Sequence, residues 1–230
     1  MSVKIALLDL DHTLLAANTN SLWHRRRRWP TWRELLEGLP ALLSLWTRGA
    51  PALQGISRET LLWSYWLRQL IYGADYKPLA TELALHNAER LRAGARPLLN
   101  ALREAGTRLI LVSASDAPLA RAFGEMLDVD EVVAVERDGM GFQRPVPYGD
   151  GKVGAVRRYL GSESLEHCAF LSDHFSDTTL LETVGLPVAV NADRRLQDTA
   201  KRQGWLQLDL DDDAAIEPLM SALKARATSS

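Results

Sequence analysis

The sequence is poor in cysteine and contains no long apolar run. Its single cysteine, Cys168, excludes an internal disulfide bond. Because Cys168 lies in an apolar stretch, we expect its side chain to be buried. No apolar run reaches the roughly 18 residues of a transmembrane helix, and a strand pattern starts so early that we expect no signal peptide. We therefore expect a cytoplasmic protein.

Strong charge of either sign is also lacking, since the formal net charge is -2 over 230 residues. The charge is nevertheless uneven, because residues 18–93 contain eleven Lys and Arg but only six Asp and Glu. Six of the seven tryptophans lie in the same interval, namely Trp23, Trp29, Trp32, Trp46, Trp63 and Trp66. Apolar residues recur there at helical spacing, with Pro40 expected to bend or divide a helix. Residues 18–93 thus form a predicted all-helical insert, far longer than a usual loop.

The rest of the sequence alternates between short apolar strands and helices. Strands are predicted at residues 5–8, 108–112, 131–135, 168–171, 186–190 and 205–208. This alternation predicts right-handed βαβ units and a mostly parallel, doubly wound Rossmann-like sheet. The expected fold class is α/β, with residues 1–17 and 94–230 as one core domain and the insert as a second unit.

Several predicted strands end in polar residues whose chemistry is complementary. Asp9 and Asp11 follow the first strand, Ser113 follows the second, and Asp173 follows a later one. Lys152 lies in the first turn of a predicted helix. Because the carboxyl ends of parallel strands meet at one edge of a sheet, these residues can come together. Neighbouring carboxylates suit Mg²⁺, and their combination with an ammonium and a hydroxyl suits phosphoryl transfer, while Asp9 and Asp11 alone are equally typical of an Asp-rich turn.

Four short motifs follow one another along the chain. They are residues 9–14, 111–115, 151–153 and 172–177, and the sequence of residues 184–191 comes after them. In this order they resemble the haloacid-dehalogenase-like superfamily, and within it the phosphoserine-phosphatase-like hydrolases with a helical cap after the first motif. The resemblance implies a Rossmann-like catalytic core, a helical cap at residues 18–93, and phosphatase activity with Mg²⁺ as cofactor.

The resemblance also implies a role for each matching residue. Asp9 is then the nucleophile and a metal ligand, and Asp11 is the general acid and base, with its backbone carbonyl on the metal. The other implied roles are phosphoryl or substrate binding by Ser113, Lys152, His12 and Thr13, Mg²⁺ binding by Asp173, and support of metal-bound water by Asp177. Residues 174–176 depart from the usual acidic motif. These departures bear on the shape of the substrate pocket rather than on the chemistry.

Three interpretations of function remain open at this point. The first is a Mg²⁺-dependent phosphatase for a small metabolite, such as phosphoserine or a polyol or amino-alcohol phosphate, or for a lipid phosphate. The second is a phosphotransferase with the same core chemistry. The third is a non-catalytic module whose arginine run at residues 25–28 and tryptophans bind an anionic or membrane surface.

The insert is expected to decide the substrate, because the core motifs recognise only a phosphoryl group. We expect its tryptophans mainly to form its own small core. No nucleic-acid partner is expected. Peripheral membrane contact through the cap and the oligomeric state are left open.

Overall fold

The computed structural model describes residues 3–25, 29–47, 54–129, 131–212 and 216–228. Its strands are β1 (Ile5–Leu8), β2 (Arg108–Asp116), β3 (Glu131–Val135), β4 (Arg137–Asp138), β5 (Gly141–Phe142), β6 (Cys168–Ser172), β7 (Leu186–Val190) and β8 (Leu206–Leu208). Within the described residues, six of them form one parallel sheet in the order β3-β2-β1-β6-β7-β8, and β4 pairs with β5 as a hairpin.

Helices cover both faces of the sheet. They are α1 (Thr19–His24), α2 (Trp32–Thr47), α3 (Gln54–Tyr72), α4 (Tyr76–His86), α5 (Ala95–Glu104), α6 (Ala117–Met126), α7 (Gly151–Leu160), α8 (Thr178–Leu181), α9 (Arg194–Gln203) and α10 (Glu217–Thr228). Ala6 and Leu8 of β1 pack in one layer with α5, α6 and α10, whereas Ile5 and Leu7 pack in the other with α7, α8 and α9. Burial on both faces explains why the sequence of β1 is a continuous apolar run. The α/β doubly wound fold is confirmed.

The strand order places the ends of β1 and β6 side by side. Leu8 of β1 is level with Leu171 of β6 and with Leu111 of β2. The chain winds outward from β1 through β2 to β3, and then returns to β6 on the other side of β1. In open α/β sheets, ligands bind outside the strand ends at such a change of direction. The polar residues after β1 and β6 lie at this point.

The insert is helical in its described residues, but Pro40 and the tryptophans differ from expectation. Of the bend or division expected at Pro40, the division is absent, because α2 runs unbroken around it. A proline frees the carbonyl four residues earlier, and Leu36 at that position is exposed to water. The tryptophans are not the core of the insert: Trp23 is buried, but four others are exposed, namely Trp29, Trp32, Trp46 and Trp63.

Smaller differences concern the ends of elements. Helix α3 begins at Gln54. Strand β2 continues to Asp116, beyond the expected end at Val112. Residues 26–28 of the arginine run lie outside the described residues. None of the described helices is both long and apolar enough to span a membrane.

Candidate active site

Lys152 joins two carboxylates from distant parts of the chain. Asp9 directly follows β1, and Lys152 is the second residue of α7. A Cβ atom at Gly151 would collide with the carbonyl oxygen of Val146, so glycine permits the close approach that starts α7. Lys152 Nζ donates to Asp9 Oδ1 at 2.7 Å and to Asp177 Oδ2 at 2.6 Å. All three charged side chains are buried.

Thr13 lies between Asp9 and Asp173. Its Oγ1 atom is 3.0 Å from Asp9 Oδ2 and 3.0 Å from Asp173 Oδ1, and it accepts the backbone N–H of Asp173 at 3.1 Å. Because a hydroxyl has one proton, Thr13 can donate to only one of the two carboxylates at a time. Two buried carboxylates therefore converge on one point without full neutralisation.

Asp11 is held by the beginning of α1. The backbone N–H of Thr19 donates to Asp11 Oδ1 at 2.8 Å, while the Thr19 hydroxyl and the Asn18 amide donate to Oδ2 at 3.2 Å and 3.3 Å. Asn18 also caps α1, because its Oδ1 accepts the N–H of Ser21 at 3.2 Å. The Thr19 hydroxyl is hydrogen-bonded to Ser115 as well, which connects Asp11 to the second motif.

The strand-end cluster, as we call these charges, consists of Asp9, Asp11, Lys152, Asp173 and Asp177. It contains four carboxylates but one ammonium. Burial is the largest cause that raises the pKa of Asp9, Asp11 and Asp173 to about 7 each, and neighbouring carboxylates add to the rise. Burial lowers the pKa of Lys152, but Asp177 and Asp9 outweigh it and raise that pKa above its usual value. The cluster is short of positive charge.

The donor atoms of this cluster fit a hard divalent cation. In the described residues, no three His, Cys, Asp or Glu side chains already surround one point as a complete metal site. Mg²⁺ does not need one, since one or two carboxylates suffice and its other positions go to water, other oxygens and substrate phosphate. The convergence of Asp9 and Asp173 on Thr13, together with the excess of buried negative charge, therefore suits Mg²⁺.

Ser113 lies at the same edge of the sheet. Its strand, β2, pairs with β1, and Ser113 is buried. The Ser113 Oγ accepts the backbone N–H of Ser115 at 3.1 Å, which leaves the hydroxyl proton of Ser113 to donate to a ligand.

A family-wide comparison matches the part of the chain that contains the strand-end cluster and Ser113. The sequence fits the family described as haloacid dehalogenase-like hydrolase over residues 6–182, which include all four motifs. The chain belongs to the haloacid dehalogenase-like hydrolase family. The family and the hydrolase character expected from the sequence are thereby confirmed, whereas the family match does not assign roles to single residues.

Two similar proteins are known by name. The Inhibition of morphological differentiation protein of Streptomyces azureus is 38% identical over 123 residues, which are 50% of this chain and 44% of that protein. A Mycobacterium tuberculosis protein named Probable phosphatase is 35% identical over 143 residues, which are 59% of this chain and 50% of that protein. The chain thus spans about half the length of the curated relatives that it matches.

Solved structures extend the similarity to the fold of the whole chain. A crystal structure of phosphoserine phosphatase in its apo form has a TM-score of 0.59, with 15% sequence identity, and the match covers 94% of this chain and 98% of that one. At this identity the match concerns the fold alone. This haloacid dehalogenase-like hydrolase therefore shares the fold of phosphoserine phosphatase over most of its length.

His12 and His174 are exposed, and the substrate-binding role expected for His12 stays a prediction. His12 is exposed with φ of 60°, and its carbonyl oxygen accepts both Nε and Nη2 of Arg92 at 3.1 Å and 2.8 Å. Burial, followed by the charge of Arg92, lowers the pKa of His12. His174 is exposed, and its Nδ1 accepts the N–H of Ser176 at 3.1 Å. Among the described residues, neither imidazole ring hydrogen-bonds to the strand-end cluster.

Four residues of the site were missed by sequence reasoning. Ser172 donates to Asp177 Oδ2 at 2.7 Å, so Asp177 is an anchor for Lys152 in this structure. Asn18 and Thr19 hold Asp11, and Arg92 holds the turn at His12. The N-cap pattern at residues 18–21 was visible in the sequence. The target of its donors was not, because that depends on how α1 meets β1.

A cleft of about 640 Å³ lies beside the cluster, between the turn after β1, α1 and the end of α4. His12 and Asn18 form the part of the cleft nearest Asp11. The opposite part is charged and polar, with Arg25, Glu82, His86, Asn87, Glu89 and Arg90. A cleft of this volume suits a small ligand.

Proposed function

We propose that this hydrolase is a Mg²⁺-dependent phosphomonoester phosphatase that forms a covalent aspartyl-phosphate, an acyl phosphate, on Asp9. The main support is the contact of Lys152 Nζ with both Asp9 and Asp177, at 2.7 Å and 2.6 Å. It places a fixed positive charge beside a carboxylate at the ligand-binding edge of the sheet. In such a pair, the carboxylate can attack a phosphoryl group while the ammonium neutralises the phosphoryl oxygens.

In the first step, an oxygen of Asp9 attacks phosphorus while the bond from phosphorus to the leaving oxygen breaks. Lys152 and the Ser113 hydroxyl bind the phosphoryl oxygens, since both can donate and both are buried at this edge. Asp9, Asp173 and the carbonyl of Asp11 would hold Mg²⁺, which supplies positive charge against the phosphoryl oxygens. Asp177 and Ser172 keep Lys152 in position.

Asp11 is the proposed acid and base. Burial raises its pKa to about 7, so at neutral pH it is present in both protonation states. Protonated Asp11 gives its proton to the leaving oxygen. In the second step, Asp11 takes a proton from water, the hydroxide attacks phosphorus, and Asp9 leaves as a free carboxylate with release of phosphate. Thr19 and Asn18 fix the direction of the Asp11 carboxylate.

The substrate is proposed to be a small phosphomonoester whose leaving group enters the cleft next to Asp11. Both charges of the lining, and its hydroxyl and amide groups, suit a polar leaving group better than a long apolar one. Residues 18–93 would then act as a cap that selects the substrate, because they supply most of the cleft. Residues 1–17 and 94–230 would form the catalytic core.

The decisive experiment compares the purified protein with its Asp9→Asn variant. We expect turnover of an aryl phosphomonoester with Mg²⁺, loss of turnover in excess chelator, and at least about a 10⁴-fold loss in Asp9→Asn. Acid quenching with labelled substrate should trap phosphate on the parent protein and not on the variant. Asp198→Asn, at an exposed position of α9, is the matched control and should remain fully active.

Turnover by the Asp9→Asn protein at the parent rate would overturn the proposed nucleophile. A panel of phosphorylated metabolites, lipid phosphates and phosphoryl acceptors, run with the same samples, identifies the substrate. Preferred transfer to an acceptor other than water would replace the phosphatase by a phosphotransferase.

A further inference from the structure

Helix α2 presents an unusually apolar face to the outside. Its exposed side chains recur every three or four residues along one side of the helix, and each is between 46% and 79% exposed. This α2 outer face consists of Trp32, Leu35, Leu36, Leu39, Leu42, Leu43 and Trp46. The two tryptophans alone expose on the order of 300 Å², as much as the largest patch on many monomers.

The opposite side of α2 is polar and faces inward. Glu37 is fully buried, where it accepts Arg68 Nε and Trp23 Nε1, both at 2.9 Å. Ser44 is also buried and donates to the carbonyl of Ser57 at 2.8 Å. Rotating α2 to bury its leucines would break these contacts and separate Glu37 from Arg68. The outward direction of the apolar face is therefore built into the fold.

The exposed charge on the described residues of α2 is positive. Arg33 is exposed and lies 5.6 Å above the ring of Trp32. In the described residues of α2, both acidic side chains, Glu34 and Glu37, are buried. The sequence places further arginines at residues 26–28, between α1 and α2, and at residue 48, just after α2.

Positive charge around an apolar face is complementary to an anionic lipid surface. A second copy of the chain would bring the same positive charges together, which opposes a symmetric dimer through this face. Helix α2 has 16 residues and is thus about 24 Å long, shorter than the roughly 30 Å of a bilayer core. A helix of this length and pattern suits a position in the plane of the membrane surface.

We propose that the α2 outer face binds the surface of an anionic lipid bilayer, with the leucines and tryptophans inserted among the headgroups and the arginines on the lipid phosphates. The protein would then be a peripheral membrane protein. The proposal does not depend on the catalytic chemistry, because none of these residues belongs to the strand-end cluster.

The test is flotation of the full chain with vesicles made of equal parts of phosphatidylglycerol and phosphatidylcholine. We expect the parent protein to float with these vesicles, less so with pure phosphatidylcholine, and less at high salt. Leu39→Glu should weaken the partition coefficient about tenfold or more, since it places a charge in the centre of the inserted face. The matched control is Leu85→Glu on α4, because Leu85 is 62% exposed and Leu39 is 63% exposed.

Both substitutions lie at exposed positions, so the melting temperatures of both variants should stay close to that of the parent protein. Equal flotation of Leu39→Glu and the parent would overturn the proposal, as would the absence of flotation with anionic vesicles. Self-association that Leu39→Glu abolishes, without vesicle binding, would assign the face to a second copy instead. Asp9→Asn should still float, and Leu39→Glu should still hydrolyse a soluble aryl phosphate, so failure of either proposal can be told from failure of the other.

Discussion

Two clusters of buried charge lie on either side of α1 and differ in how completely they are paired. In the strand-end cluster, Lys152 serves two carboxylates and the single proton of Thr13 is shared between two. In the Arg68 cluster, which consists of Trp23, Glu37, Arg68, Tyr76 and Asp116, each carboxylate oxygen has its own donor. The first cluster needs a partner from outside, whereas the second is complete.

The Arg68 cluster connects the insert to the sheet. Arg68 comes from α3, Glu37 from α2, Tyr76 from α4 and Asp116 from the end of β2. Arg68 Nη2 also donates to Asn20 Oδ1 of α1 at 2.6 Å. Burial is the largest cause that raises the pKa of Glu37 and of Asp116, and Arg68 opposes both rises. Buried charge thus joins the insert to the sheet in one cluster, whereas in the other it belongs to the proposed active site.

The largest expected effect is a loss of turnover on substitution of Asp11, the proposed proton donor of the strand-end cluster. Asp11→Asn removes the proton donor, so turnover of an alkyl phosphate should fall by roughly 10²- to 10⁴-fold. An aryl phosphate with an acidic leaving group should react in the first step nearly as before, and phosphate should accumulate on Asp9. Rapid-quench kinetics with both substrates measures this difference, and equal losses for both would remove Asp11 from the acid role.

The next effect concerns stability in the Arg68 cluster. Arg68→Met leaves Glu37 and Asp116 buried without their cation, so the free energy of unfolding should fall by about 3–5 kcal/mol. Denaturant titration measures it. Arg96→Met, at an exposed position of α5, is the control and should change stability by no more than about 0.5 kcal/mol.

In the same denaturant titration, Asp9→Asn should not lower the free energy of unfolding. In the metal-free protein it removes one of several mutually repelling carboxylates, so the free energy of unfolding should stay equal or rise. A loss of unfolding free energy as large as that of Arg68→Met would contradict the difference in pairing between the two clusters.

The third prediction is that the strand-end cluster makes the free energy of unfolding depend on pH and on Mg²⁺. Because Asp9, Asp11 and Asp173 have folded-state pKa values of about 7, above their unfolded values, the metal-free native state binds more protons than the unfolded state between about pH 4 and 7. Their contribution to stability is therefore present at low pH and is lost as pH rises through 7. Mg²⁺ competes with these protons, so it should stabilise the protein more at pH 8 than at pH 5.

Differential scanning fluorimetry with and without Mg²⁺ checks this. At a Mg²⁺ concentration of about a hundred times its Kd, the gain in the free energy of unfolding at pH 8 should be about 2.7 kcal/mol. Asp173→Asn should lose most of this gain. An equal Mg²⁺ effect at both pH values would contradict binding to these carboxylates.

The smallest effect concerns His24, beside the Arg68 cluster. Burial, followed by the charge of Arg68, lowers the pKa of His24 to about 4, and its Nε2 lies 3.6 Å from Glu37 Oε1. As pH falls, the His24 ring is protonated near pH 6.5 in the unfolded state but only near pH 4 in the native state. The free energy of unfolding therefore falls as pH falls through that interval. Relative to His24→Gln, the parent protein should lose roughly 1–2 kcal/mol between pH 6.5 and 5.

The sequence by itself determined the sheet, the position of the insert and the residues at the strand ends. These depend on short-range patterns: a run of apolar residues such as Ile5–Leu8 can only be a buried strand here, and Asp9, Asp11 and Asp173 directly follow such strands. The alternation of strands with helices then restricted the topology, and the shared edge followed from parallel pairing.

Only the tertiary structure decided which groups those residues contact and which way α2 faces. The donors on Asp11 come from Thr19, and the partner of Asp177 is Lys152, neither of which is set by spacing along the chain. The apolar stripe of α2 is visible in the sequence, and the usual expectation is that it packs inward. It faces outward because Glu37 on the other side of the helix pairs with Arg68, 31 residues away, a contact that no spacing along the chain shows.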